Sequence, residues 1–286
     1  MSINMKYLGW CFGILIFLTD LNQSFAQGDL MIYPRRLVFG SNQRSMDITL
    51  ANSGSDSSSY ALSWKNYQMS PSGQFIEITE PDAGQYFAEP VLRFYPREVT
   101  LAPGESQKVR VQRINNRPLS TGEYRSHLEF RSSKPMQTLE TPPTTDAQEG
   151  IQTILNMHLA ITIPVIMEIG DINAQVTLDN ARLIVSEDMS QKLQFEINRS
   201  GSKSSFGDFI LSHKSPDGKL TQVGLVKGVA VYTPVGSRRY SIPLDIQETD
   251  ILNSGTLLLE YVSQKRRREV LASLEFPLVQ LQSKLN

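Results

Sequence analysis

Residues 154–167 read ILNMHLAITIPVIM, and every odd position is apolar: Leu155, Met157, Leu159, Ile161, Ile163, Val165 and Met167. The even positions carry Asn156, His158, Thr162 and Pro164 among smaller or apolar residues. Successive side chains of a strand point to opposite faces, so this alternation predicts a strand with one fully greasy face and one mixed face. Pro164 adds a constraint, because proline has no N–H to give to a ladder and sits at strand ends and sheet edges. The stretch therefore predicts a strand that ends, or lies at an edge, near residue 164. Just before it, residues 132–149 (SSKPMQTLETPPTTDAQE) are polar, proline-bearing and aperiodic, which predicts a long loop feeding into the strand.

The same alternation recurs along the chain, with almost no 3.6-residue period. In the first half DLMIYPRRLVFG, SMDITLAN, SSYALSWKNYQM, QFIEITE, RFYPREVTLAP, QKVRVQRI and GEYRSHLEFRS read as strands, separated by breakers such as Asn52-Ser53-Gly54-Ser55 and Ala102-Pro103-Gly104. Short strands at this spacing predict an antiparallel sandwich of the immunoglobulin type. After Met167 a second set follows: AQVTLDN, ARLIVSE, KLQFEINRS, FGDFILSHK, KLTQVGLVKGVAVYTP, RRYSIPLDI, GTLLLEYVSQ and REVLASLEFPLV. Ser215-Pro216-Asp217-Gly218 is a hairpin turn between two of them. The expected fold is all-β, with two immunoglobulin-like domains over residues 27–167 and 168–286. Tyr124, in LSTGEY, fits the tyrosine corner of such sandwiches, while Tyr261 sits too far along its strand for that role.

The first 28 residues are set apart from this pattern. MSINMKYLGWCFGILIFLTDLNQSFAQG has a basic Lys6, an apolar run from Leu8 to Leu18 and a small-residue site ending at Ala26, which predicts a secretory signal peptide cleaved there. The one cysteine, Cys11, lies inside the apolar run. The exported chain would then have no disulfide, and its stability has to come from a packed core. Composition is that of a globular protein, with 40% hydrophobic and 20% charged residues. A formal net charge of −1 argues against nucleic acid or an anionic membrane surface as a partner. No later segment is long and apolar enough to be a membrane span, so the mature chain is expected to be soluble and exported, without membrane insertion.

Catalytic and metal signatures are missing from the sequence. The three histidines, His127, His158 and His213, are scattered, and no nucleophile elbow, phosphate loop or H-E-x-x-H occurs. Neither an enzyme nor a cofactor or metal is expected. The run Lys265-Arg266-Arg267-Arg268 lies between two alternating strands and reads as a solvated hairpin tip. Trp64, Tyr67, Tyr86 and Phe87 suggest a sugar-binding platform, but Trp64 lies in an alternating strand, where core packing is the commoner outcome.

Several stretches, taken in order, resemble the periplasmic pilus assembly chaperones of the chaperone–usher pathway. They are YPRRLVFG (33–40), YPREVTLAPGESQKVRVQR (95–113), GEYRSHLEF (122–130), the alternating strand ending IPVIM, NRSGSKSSFGDF (198–209) and GVAVYTP (228–234). The last two look like the more divergent branch of that family. The resemblance implies two immunoglobulin-like domains in a boomerang. It also implies that the last strand of the first domain is lent to a pilus or fimbrial subunit lacking its own, for delivery to an outer-membrane usher. Leu155, Met157, Leu159, Ile161 and Ile163 would then fill the subunit's groove. The resemblance further implies that two basic side chains in the interdomain cleft hold the subunit's terminal carboxylate. The first falls on Arg36, or on Arg35 if the register slips by one.

The second should be a lysine where this chain has Pro164, and an arginine of the family is replaced by Glu168. Each Leu-sized side chain buried is worth about 1.5–3 kcal/mol, and a charged hydrogen bond about as much. Five apolar side chains outweigh one lost cation, so the change loosens register more than affinity. Arg125 and His158 are candidate substitutes. A second reading is a chaperone-like sandwich with a structural or adhesive surface role. A third is a carbohydrate-binding module or hydrolase with a site across both domains.

Overall fold

Alternation turns into burial strand by strand. β3 (Ser45–Asn52) turns Ile48 and Leu50 inward, β4 (Ser58–Lys65) Tyr60 and Leu62, and β9 (Ser106–Arg113) Val109 and Val111. The computed structural model describes residues 30–114, 118–133, 158–185, 191–245, 254–264 and 268–278. Their regular elements are strands apart from one short 3-10 turn at Glu89–Val91. The signal-peptide segment, Leu155 and Met157 lie outside the described residues, as does most of the 132–149 stretch.

In the first half, β1 (Leu30–Tyr33), β3, β9 and β7 (Leu92–Tyr95) form one sheet, in the order β1-β3-β9-β7. The facing sheet adds β2 (Leu37–Phe39), β8 (Glu98–Leu101), β10 (Gly122–Ser132) and β11 (Ala160–Ile169), in the order β2-β11-β10-β4-β8. Leu37, Ile48, Leu50, Leu101, Val109, Leu128 and Val165 fill the space between the sheets. A separate hairpin, β5 (Tyr67–Met69) and β6 (Phe75–Glu77), stands outside both. The Tyr124 hydroxyl donates to the Ser120 carbonyl at 3.2 Å, which is the tyrosine corner. Trp64 meets Phe94 edge-on, with ring centroids 5.3 Å apart, and packs on this core rather than on an outer platform.

The second half repeats the plan. β12 (Ala174–Val185), β13 (Gln191–Gly201) and β16 (Ser237–Pro243) form one sheet. The other has the order β15-β14-β17-β18, with β14 (Ser205–Lys214), β15 (Leu220–Val231), β17 (Thr256–Ser263) and β18 (Val270–Pro277). Phe195, Phe209, Leu211, Leu257, Leu259 and Tyr261 are fully buried between them. Tyr261 stacks on Phe209 at 4.4 Å, and its hydroxyl donates to the Val229 carbonyl at 2.8 Å. Its job differs from that of Tyr124, because it ties β17 to β15 across the intervening β14. The protein is therefore all-β, built of two immunoglobulin-like sandwiches.

Four strand readings change. DLMIYPRRLVFG divides into β1 and β2, SSYALSWKNYQM into β4 and β5, and RFYPREVTLAP into β7 and β8. Each pair is split between two sheets, with Pro34 and Pro96 at two of the breaks. Two runs of the second half merge instead. AQVTLDN and ARLIVSE form a single strand, β12, whose pairing with β13 shifts between Asp179 and Arg182. Asn180 at the shift has φ of 51°, a left-handed conformation that Asn tolerates better than most residues. The turn-like composition there marks a bulge within a strand and not a break between two. At the junction of the halves β11 continues to Ile169, Gly170 turns with φ of 74°, and β12 starts at Ala174.

Candidate functional site: an open strand edge beside a basic cleft

The Ser132 N–H donates to the Leu159 carbonyl at 2.8 Å, and this one bond sets the phase of the β10–β11 ladder. In an antiparallel pair, hydrogen-bonded partners recur every second residue. The odd residues 161, 163, 165 and 167, opposite Phe130, Leu128, Ser126 and Tyr124, therefore bond to β10. The N–H and C=O groups of the even residues point the other way. β2 takes them up only around Ile166, where it pairs in parallel over Val165–Met167. From Ala160 to Pro164 no strand among the described residues covers that side. Pro164 occupies an even position, so its missing N–H costs the β10 ladder nothing. That is why a proline is tolerated inside this run.

Burial of the greasy face is graded along the same strand. Leu159 is 42% exposed, Ile161 is half-buried against the first core, and Ile163 is only 3% exposed. Val165 and Met167 belong wholly to the core. The open edge and the exposed part of the apolar face thus coincide at residues 159–162.

Cross-strand partners share a face, which places Thr162 beside Glu129, Pro164 beside His127, Ile166 beside Arg125 and Glu168 beside Glu123. Four polar side chains of β10, Glu123, Arg125, His127 and Glu129, are all no more than 5% exposed on the face turned away from their own core. They are roofed by the β5–β6 hairpin and by the second sandwich. Glu123 Oε2 accepts from the Ser204 N–H at 2.8 Å, and Oε1 accepts from the Ser204 hydroxyl. Arg125 Nη2 donates to the Tyr67 carbonyl at 3.2 Å, and its guanidinium lies 4.2 Å from the centre of the Tyr232 ring. Arg36 precedes β2 and shares the face of Val38. Its Nη1 donates to the Tyr232 hydroxyl at 3.0 Å, and its guanidinium sits 4.3 Å from the Phe206 ring centre. Arg35 is exposed.

His158 is exposed at the start of β11, with Nδ1 2.9 Å from the Ser132 carbonyl, away from this cleft. Glu168 pairs with Lys203 at 2.5 Å, joining the two halves at the rim. Beneath Thr162 and Pro164 lies a cavity of about 400 Å³, walled by Tyr67, Phe75, His127, Tyr232 and Arg238. Among the described residues, Arg125 Nε and Nη1, His127 Nδ1 and Arg238 Nε are buried without a hydrogen-bond partner.

Electrostatics follow from this packing. Burial, assisted by Arg125 and Arg36, pushes His127 from the usual 6.5 down to about 3, so the ring is neutral. Burial also lowers Arg125; Tyr232 and Glu123 oppose that shift and Arg36 adds to it. The His127 shift has a measurable consequence. The unfolded chain takes up a proton as pH falls through 6.5 while the folded chain does not, so stability drops with falling pH until about pH 3. Wild type should lose about 2–3 kcal/mol more between pH 6.5 and 4.5 than His127→Gln, read from urea unfolding at the two pH values. Equal losses would place His127 in a wetter setting than this one.

The cleft brings together Arg36 and Arg125 from the sequence reading and adds Tyr232, Phe206 and His127. Tyr232 lies in GVAVYTP, a stretch already conspicuous, but no local pattern says that its ring receives two arginines. Among the described residues no three His, Cys, Asp or Glu side chains cluster in a way that could hold a metal ion.

No protein-family model matches the chain, and no curated protein matches it. Solved structures do resemble it. The YadV chaperone superposes with a TM-score of 0.44 at 10% identity, over 87% of this chain and 100% of its own. The CupB2 chaperone of Pseudomonas aeruginosa gives 0.42 at 12% identity, over 86% and 99%. A Salmonella enterica structure of the SafA pilin in complex with the SafB chaperone gives 0.41 at 8% identity, over 88% and 97%. At these levels the likeness lies in overall build, and what this chain does has to be read from its own edge and cleft.

Proposed function

We propose that the chain is a periplasmic chaperone that caps a pilus or fimbrial subunit by adding β11 to the subunit's incomplete sheet, and then hands it to an outer-membrane usher. The observation that carries the reading is the open edge at Ala160–Pro164, coincident with exposed Leu159 and half-buried Ile161 and bounded by a basic cleft. An unpaired edge offers backbone donors and acceptors, and the apolar side chains beside it supply affinity as a partner covers them. Leu159 and Ile161 supply apolar surface and Ile163 holds the strand in its own sandwich; Leu155 and Met157, outside the described residues, are the preceding odd positions of the same alternating sequence. Arg36 anchors the subunit's terminal carboxylate. Nothing in this action requires bond making, a metal or a cofactor; the work is covering apolar surface and blocking wrong strand pairing.

The test is capture of exported proteins from the native host by tagged wild type and by a Leu159→Asp, Ile161→Asp variant. A small exported subunit should come with wild type and be lost with the variant. Capture by a folded variant, or no subunit with wild type, contradicts the proposal.

A further inference from the structure

We propose that the β5–β6 hairpin is a latch between the two sandwiches, which docks its tip on the edge strand β16 and lifts from it without either sandwich unfolding.

The hairpin belongs to neither sheet of the first sandwich, and its two ends are held by different halves of the chain. Its base is fixed to the first half. Lys65 pairs with Glu77 at 2.6 Å, the Ile78 N–H donates to the Asn66 carbonyl at 3.0 Å, and Gln85 Nε2 donates to the Tyr67 carbonyl at 3.0 Å. Its tip, residues 70–74, rests on the second half. The Arg239 N–H donates to the Pro71 carbonyl at 2.9 Å. Gly73, with φ of 84°, sits so close on Arg238 that a Cβ there would run into the guanidinium. Between base and tip, Met69 is 2% exposed, in a small cluster with Ile166, Ala230 and Tyr232.

The tip meets β16 on the side that its own sheet leaves open. The Arg199 N–H donates to the Gly236 carbonyl at 2.7 Å, and the Leu244 N–H to the Gln191 carbonyl at 2.9 Å. Even residues of β16 therefore bond to β13, and odd ones point off the edge of the three-stranded sheet. Arg239 is odd. Its bond to Pro71 is a single contact on a sheet edge, not a rung of a ladder.

What leaves the latch poised is the layer beneath it. The Phe75 ring lies against His127 and Tyr232, with centroids 5.6 and 6.0 Å away. Under that cover His127 Nδ1 and Arg238 Nε are buried without a hydrogen-bond partner. A buried polar atom without a partner costs about as much as the burial of one apolar side chain gains. Lifting the hairpin exposes Met69 but returns both polar atoms to water, so the closed and open states lie close in free energy. Lifting also takes Tyr67, Met69 and Phe75 from the wall of the cavity beneath Thr162 and Pro164, and the outer face of the open β11 edge becomes reachable. That last consequence rests on the capping reading above; the latch itself does not.

The test is amide hydrogen exchange on the full mature protein with no partner present. The Arg239 amide reports the tip, while Tyr240 and Ile242, on the β13 side, report β16 itself. An open state populated at about 0.1–10% gives Arg239 a protection factor of about 10–1,000. Tyr240 and Ile242 should be protected well beyond that, because they exchange only when the sandwich opens. Met69→Ala removes an apolar anchor that is buried only in the closed latch, and should speed Arg239 at least about tenfold with Tyr240 and Ile242 unchanged. Gly73→Val, at a left-handed φ and against Arg238, should do the same from the tip. Arg239 as slow as Ile242 would mean that the hairpin opens only with the sandwich, and an unprotected Arg239 that the tip is not docked. Either result overturns the proposal, as would variants that leave Arg239 unchanged or that speed all three amides alike. No subunit enters the experiment, so its outcome is independent of whether the chain captures one.

Discussion

Ile163→Asp is expected to unfold the first sandwich, while Ile161→Asp, two residues earlier on the same face, leaves it folded and unable to capture a subunit. Ile163 is 3% exposed in the first core, among residues that include Leu128, its cross-strand partner. Replacing it removes a large buried side chain and inserts a carboxylate with no partner, a loss of about 4 kcal/mol or more. Against a total stability of about 5–15 kcal/mol, that is enough to empty the native state of a modest domain. Ile161 packs on the rim of that core, and Asp there has access to water, so its cost should stay near 1–2 kcal/mol. Urea midpoints and near-UV dichroism of the two variants would show the contrast. Two unfolded variants would make residue 161 part of the closed core and leave the edge too short to lend.

Glu123→Ala should loosen the two sandwiches from each other. Glu123 is 2% exposed and takes both the N–H and the hydroxyl of Ser204 from the second half. The Ser204 hydroxyl in turn accepts from the Thr233 N–H at 3.0 Å. Deleting the carboxylate strands a buried N–H and removes the anion that offsets burial of Arg125 and Arg199. Breaking a buried charged network by one partner costs about 3–5 kcal/mol. Trp64 is the only tryptophan after Ala26 and reports the first half alone. In wild type its fluorescence and far-UV dichroism should change together in urea, and in Glu123→Ala they should separate. Coincident, unshifted curves would mean the halves are joined chiefly elsewhere, for example through Lys203 and Glu168.

The strands were legible because the core faces alternate, and alternation needs only neighbouring residues. GEYRSHLEF shows the limit of that reasoning. Its even residues, Tyr124, Ser126, Leu128 and Phe130, form the inward face. Its odd residues look like a solvated face, yet they are buried. Their roof comes from residues 67–75 and 204–232, and no local pattern in β10 announces a distant cover. The choice of Arg36 over Arg35 was available in principle, because Arg36 and Val38 must face away from Leu37 and Phe39. Pro164 was read as an edge or an end, but the phase of its ladder required the Ser132–Leu159 bond. The break drawn between AQVTLDN and ARLIVSE failed for a related reason: turn-forming residues inside one strand are indistinguishable locally from those between two.

The most direct test of strand addition is amide hydrogen exchange, residue by residue, with and without a captured subunit. The outward N–H groups of Ala160 and Thr162 should exchange quickly in the free protein and become strongly protected in the complex. Ile161 and Ile163, already bonded to β10, should change less. Protection that appears elsewhere while Ala160 and Thr162 stay fast would contradict the account, because the partner would then be held without using the open edge.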